Sequence, residues 1–182
     1  FGLPLLHLID PKNKKIQGLI LCPTRELGQQ VAKQLFRFTK YSDKIFTEAV
    51  FGGEHISRQL ARLERTTHVI VATPGRLIDL LDREVVNLDS VKTVILDEAD
   101  EMLNMGFKKQ LETIIQKVTT KKQTWLFSAT MPKEIQGIIH DYLDKDAEYI
   151  SVSKNEVVNR NIEHQFVVVR ENDKLDMLIQ FL

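Results

Sequence analysis

Four carboxylates, Asp97, Glu98, Asp100 and Glu101, lie inside the stretch "VKTVILDEADEML" and follow directly on the aliphatic run Val94, Ile95 and Leu96. A buried, unpaired carboxylate is unfavourable enough that it titrates to its neutral form instead. These acids must therefore escape to solvent in a turn or reach an edge where a cation meets them. An aspartate that closes an apolar strand is the arrangement by which nucleotide hydrolases hold Mg2+ against phosphates. A second acid beside it can orient or activate the attacking water. On that chemistry Asp97 holds the metal and Glu98 the water. The plainer reading is an acidic turn opening the next helix, where negative charge is favoured. A calcium loop needs oxygen ligands at alternate positions and glycine at the sixth. Ala99, Glu101 and Met102 stand at the third, fifth and sixth positions, which excludes it.

Four further polar clusters also follow apolar runs. "PTREL" follows "GLILC", "GGEHIS" follows "FTEAVF", "TPGR" follows "HVIVA", and "SAT" follows "TWLF". Each has an ordinary structural reading. Thr24 can cap a helix with Pro23 outside it, "TPGR" can be a turn, and Ser128 or Thr130 can cap the helix beyond Pro132. Each also has a functional one. Bare backbone at Gly52 and Gly53 can sit against a sugar–phosphate chain, and the "TPGR" loop can let a phosphate approach.

The elements that would carry these clusters are legible from pattern. Apolar, β-branched runs that do not alternate suit strands buried on both faces, as in a parallel sheet. Between them lie helical patterns. Phe107, Leu111, Ile114, Ile115 and Val118 recur at helical spacing, as do Ile135, Ile138, Ile139 and Tyr142 after Pro132. Strands alternating with helices imply βαβ units and an α/β sheet covered on both faces. In a parallel sheet all five clusters fall at the strand carboxyl ends, the edge where open α/β sheets bind ligands.

The 25 basic and 25 acidic residues cancel, so the chain has no global attraction for nucleic acid or anionic membrane. Any polyanion must be bound by locally placed arginine, lysine and backbone amides. No apolar stretch approaches the length of a membrane span, and no signal-peptide pattern opens the chain. A single cysteine, Cys22, permits no internal disulfide and fits a reducing cytoplasm. The lysines at 11–15 and 119–123 read as solvated loops. His7, His55, His68, His140 and His164 show no metal-ligand spacing. Trp125 reads as sheet core, and Phe107 as an anchor of its helix.

Taken in order, "PTRELGQQ", "GG", "TPGR", "DEAD" and "SAT" resemble the DEAD-box family of ATP-dependent RNA helicases, which takes its name from the tetrapeptide at 97–100. The resemblance covers nearly the whole chain. It implies a RecA-like fold of the P-loop NTPase type, the cofactors ATP and Mg2+, and RNA as partner. It also implies roles for individual residues. Asp97 would hold Mg2+, Glu98 would position the hydrolytic water, and Asp100 would link the nucleotide site to Ser128 and Thr130, which couple hydrolysis to strand separation. Pro23, Thr24, Arg25, Gly52, Gly53, Thr73, Pro74, Gly75 and Arg76 would contact the RNA sugar–phosphate backbone without reading sequence. Gly28, where alanine is commoner in the family, is a mild departure.

No G-x-x-x-x-G-K-[ST] motif occurs, and no glycine in the chain precedes a lysine. Without it the chain has no amide cradle and no lysine for the β- and γ-phosphates. Both ends read as cut, which gives three expected segments. Residues 1–153 form a RecA-like domain missing its first strand and phosphate loop, 154–161 a linker, and 162–182 the first strand ("HQFVVV") and helix of a second RecA-like domain. The missing strand is expected beside the strand ending at Asp97, leaving an exposed apolar seam. The chain alone is expected to be inactive. A non-catalytic RNA-binding scaffold that kept the motifs is the alternative; a DNA-directed hydrolase fits the "DEAD" and "PTREL" patterns less well.

Overall fold

The computed structural model describes residues 1–41, 45–152, 163 and 165–181. Five four-residue strands form where the apolar runs predict them: β1 (Gly18–Leu21), β2 (Thr47–Val50), β3 (Val69–Ala72), β4 (Thr93–Leu96) and β5 (Gln123–Leu126). Every pairing is parallel, and the strand order is β2-β3-β1-β4-β5. The three central strands are buried along their whole length, which is why their sequences do not alternate.

The pleat divides these residues between two cores. Leu19, Leu21, Ile70, Ala72, Val94 and Leu96 face one side, with Leu80, Met102, Leu111 and Ile135 of the covering helices. Ile20, Val69, Val71 and Ile95 face the other, with Leu5 and Leu35. The helices sort accordingly. On the first face lie α3 (Ile56–Leu63), α4 (Pro74–Asp82), α5 (Ala99–Asn104), α6 (Lys108–Lys117) and α7 (Lys133–Tyr142). On the second lie α1 (Gly2–His7) and α2 (Arg25–Thr39). Strand order explains the split. The step from β1 to β2 runs toward one end of the sheet and all later steps run back, so crossovers of one hand place α2 opposite the others.

One expectation is corrected here. β4 pairs with β1 on one side and β5 on the other, so no position is open beside the strand that ends at Asp97. A further strand could join only beyond β2 or beyond β5. The β5 edge is the less covered of the apolar strands, with Trp125 and Leu126 only half-buried and Phe127 exposed. The ring of Phe1, at the start of α1, lies 5.2 Å from that of Phe127.

The chain divides into two compact units, Phe1–Ala147 and Glu148–Leu182. The second unit contains a 3-10 turn at Glu171–Asp173 leading into α8 (Lys174–Gln180), where a helix was expected. The strand expected from "HQFVVV" does not form: residues 165–170 have no regular structure. A strand is defined by its ladder, and the described residues of the second unit hold no other strand to pair with this segment. The expected linker at 154–161 lies outside the described residues.

Candidate functional site

With every strand parallel, all five polar clusters reach the carboxyl edge of the sheet, and the strand order sorts them into two halves. The clusters after β2, β3 and β1 are neighbours, as are those after β4 and β5. Pro23, Thr24, Arg25, Gly52, Gly53, Thr73, Pro74, Gly75 and Arg76 therefore share one half of the edge. Asp97, Glu98, Asp100, Ser128 and Thr130 share the other. The boundary runs between β1 and β4, from which the chain departs to opposite faces. That is a topological switch point, the place where open α/β sheets form a ligand crevice. The amide of Asp97 donates across it to the Leu21 carbonyl at 3.0 Å.

In the acidic half, Asp97 is half-buried at the end of β4. Burial pushes its carboxyl above the ordinary aspartate value, and the neighbouring Glu98 carboxylate pushes it further. Beneath it, Cys22 is fully buried, and burial, then Asp97 and Glu98, raise its thiol to about 12. It is a neutral packing group and not a nucleophile. Glu98 is exposed and left-handed, with φ 50° and ψ 54°. That conformation costs a side-chain-bearing residue roughly 1–2 kcal/mol, and such strain collects at functional sites. It survives because the flanking backbone is held: the Ala99 amide donates to Phe127 O at 3.0 Å and the Met102 amide to Glu98 O at 3.1 Å.

Asp100, in the first turn of α5, accepts both the amide (3.0 Å) and the hydroxyl (2.7 Å) of Thr130 through one oxygen. The Ser128 hydroxyl donates to the Thr130 carbonyl at 2.7 Å. Burial would raise the Asp100 carboxyl, but the hydrogen bonds from Thr130, with Ser128 alongside, outweigh it and hold the group below its usual value. The capping role open to Ser128 or Thr130 is not taken, since the N-cap of α7 is Pro132 and no side chain caps it. The acid-first-turn reading holds alongside the functional one, because Asp100 and Glu101 do occupy the first turn of α5.

The other half of the edge is bare backbone on a braced frame. Thr24 caps α2 by accepting the Leu27 amide at 3.3 Å. Pro23 and Pro74 are buried, whereas Gly52, Gly53 and Gly75 are exposed. A Cβ at Gly52 or Gly75 would meet nothing within 4 Å. Gly53 has φ +81°, and a Cβ there would fall 2.9 Å from Nη1 of Arg25, so that guanidinium lies over the glycine. Arg76 is turned inward, its side chain only 14% exposed. Its Nη1 and Nη2 donate to the Glu54 carbonyl at 3.3 and 3.4 Å.

Sequence reading missed the residues behind this loop. Gln59 donates from Nε2 to Phe51 O at 2.9 Å, and Arg62 makes ion pairs with Glu48 and Glu54. Gln59 and Arg62 stand three apart, on one face of α3. That spacing was the available signal.

The donor set suits a hard divalent cation that draws most of its ligands from elsewhere. Asp97 and Glu98 offer adjacent carboxylates, and Asp97 enters no ion pair among the described residues. No group of three or more metal-ligating side chains occurs among them either. Magnesium commonly takes one or two carboxylates and completes its shell with water and phosphate.

Comparison with known proteins gives a consistent result. The family model described as DEAD/DEAH box helicase matches residues 1–138. The whole chain is 44% identical to an ATP-dependent RNA helicase CshA of Listeria monocytogenes, of which it covers 35%. It is 41% identical to a DEAD-box ATP-dependent RNA helicase CshA of Bacillus cereus, covering 34%. The chain thus spans about a third of the length of these relatives. Among solved structures, a DEAD box protein from Methanococcus jannaschii matches all of the chain and 48% of its own, at 39% identity and a TM-score of 0.79. A hypothetical ATP-dependent RNA helicase from Sulfolobus tokodaii matches 79% of the chain and 41% of its own, at 36% identity and a TM-score of 0.72.

Proposed function

This chain belongs to the DEAD/DEAH box helicase family, and on that premise we propose that it supplies part of the nucleotide site and part of the RNA site of an ATP-dependent RNA helicase. The observation that supports this reading best is the division of one sheet edge into an acidic half and an adjoining bare-backbone half.

In the acidic half Asp97 would hold Mg2+ and Glu98 would take the proton of the attacking water. Bound Mg-ATP would supply the phosphoryl group, and its Mg2+ the positive charge that these acids lack. Asp100 passes changes at the acids to Thr130, because one carboxylate oxygen bonds two Thr130 groups. In the other half the backbone at Gly52, Gly53, Thr73 and Gly75, with Pro23, Thr24, Pro74 and Arg25, would follow the RNA sugar–phosphate chain. Arg76 contributes from behind, through the Glu54 carbonyl. Contacts of this kind carry no sequence information, and backbone amides need no net positive charge. Bending or parting of a short duplex would follow from closure against a second RecA-like domain, of which residues 162–182 would be the opening. Without the G-x-x-x-x-G-K-[ST] motif, the 182 residues alone would turn over no ATP.

Fluorescence anisotropy with two single-stranded RNAs of unrelated sequence tests the RNA half on the chain itself. Equal affinities that fall with salt are expected. Absence of binding, or a strong preference for one sequence, would overturn the reading.

A further inference from the structure

Residues 51–54, which link β2 to α3, are held from three directions. Gln59 Nε2, fully buried on α3, donates to Phe51 O at 2.9 Å. Arg62, one turn further along α3, places its guanidinium fork on the Glu54 carboxylate, with Nη1 to Oε1 at 2.8 Å and Nη2 to Oε2 at 2.9 Å. Its Nε bonds Glu48 Oε2 of β2 at 3.0 Å, and Nη2 also reaches Ala49 O at 3.4 Å. From the other side Arg76 bonds the Glu54 carbonyl. Gly52 and Gly53 lie between these anchors, exposed.

We propose that the Arg62–Glu54 fork is a positioning device for RNA binding: it fixes the far end of the loop so that the Gly52 and Gly53 backbone is presented ready-made to a sugar–phosphate chain. The proposal rests on reading those glycines as an RNA contact. Arg62 is suited to this role and ill-suited to contacting RNA directly. All of its nitrogens are committed, to two carboxylates and a carbonyl. A planar fork on a carboxylate fixes orientation as well as charge, which an ammonium cannot reproduce. Arg62 also pairs with both Glu54 and Glu48, so its single positive charge offsets one of two carboxylates that would otherwise both stand free beside an approaching phosphate. The pairing is strong enough to hold the Glu54 carboxyl down to about 2, chiefly through its hydrogen bond with Arg62.

The test is RNA affinity of the chain, by anisotropy with a single-stranded oligonucleotide across a salt series, for wild type, Arg62→Ala, Arg62→Lys, Glu54→Ala and the double variant Arg62→Ala/Glu54→Ala. Melting temperatures are measured alongside, and Arg62→Lys and Glu54→Ala serve if Arg62→Ala does not fold. Both Arg62 variants and Glu54→Ala should bind RNA about tenfold more weakly, and the double variant no more weakly than either single one, as expected of residues acting as a unit. The slope of log K against log salt should stay at the wild-type value. Loss of a direct phosphate contact would instead lower it by about 0.7–0.9. Wild-type affinity in Arg62→Lys, an affinity equal to or tighter than wild type in Glu54→Ala, or a reduced salt slope would each overturn the proposal. No RNA binding by the wild-type chain would overturn the RNA reading and this inference with it, whereas binding that none of the variants changes would overturn this inference alone.

Discussion

One oxygen of the Asp100 carboxylate accepts two hydrogen bonds from a residue thirty positions away, the amide of Thr130 at 3.0 Å and its hydroxyl at 2.7 Å. Charge-assisted bonds of this kind are worth about 1.5–3 kcal/mol when shielded and less when solvent reaches them, as it does here. Asp100→Ala and Thr130→Ala should each destabilise the chain by roughly 1 kcal/mol. Denaturant unfolding of the double variant should show coupling of similar size, because both substitutions break one pair.

Asp97 behaves in the opposite sense to Asp100. Its folded-state pKa is raised, so between roughly 3.9 and that higher value the native chain holds a proton the unfolded chain has lost. Stability is therefore lost as pH rises through the window. Asp97→Asn should raise the melting temperature of the ligand-free chain at neutral pH, with the gain vanishing below about pH 4. Asp100, with its depressed pKa, contributes stability at neutral pH that is lost as pH falls through its folded value. Melting curves of Asp100→Asn and Asp97→Asn over pH 3–8 should thus diverge from wild type in opposite directions.

Gly28 is tied to Phe51. A Cβ at position 28 would stand 2.4 and 2.7 Å from two atoms of the Phe51 ring. Gly28→Ala should destabilise by about 1–3 kcal/mol through overpacking. Adding Phe51→Leu should recover part of that loss, as read by thermal melting.

Helices α4 and α5 end in the same hydrogen-bonding pattern but with different residues at its left-handed position. After α5, Gly106 (φ +79°) donates to Leu103 O at 2.9 Å and Phe107 to Met102 O at 3.0 Å. After α4, Glu84 (φ 57°) donates to Leu81 O at 3.0 Å and Val85 to Leu80 O at 3.0 Å. Glycine suits this position and glutamate does not. Glu84→Gly should stabilise by roughly 0.5–1 kcal/mol and Gly106→Ala destabilise by a similar amount.

All five strands, and the arrival of every polar cluster at one edge, were legible because buried parallel strands leave long apolar runs and each run ends in a turn. Strand order was not. β3 slots between β1 and β2 and β5 caps β4 through long-range pairing, which leaves no mark on local pattern. That is why the expected vacancy beside β4 is filled. The Gly28 departure read as mild because nothing in a linear sequence puts Phe51 over it. The type and motif of Arg76 suit a phosphate contact, and only the fold adds that the Glu54 carbonyl lies within its reach. The "HQFVVV" segment has a strand's composition, but among the described residues of its unit no strand is present to pair with it, and composition alone does not make a ladder.

Whether one edge of this sheet joins a nucleotide site to an RNA site is tested most directly by steady-state ATP hydrolysis with and without single-stranded RNA. The protein for this is the chain extended to the length of its relatives, so that a phosphate loop and a second domain are present, in wild-type form and as Glu98→Gln. RNA should stimulate turnover, and Glu98→Gln should lower it by roughly 10²–10⁴-fold while RNA still binds. Hydrolysis indifferent to RNA, or surviving Glu98→Gln unchanged, would contradict it.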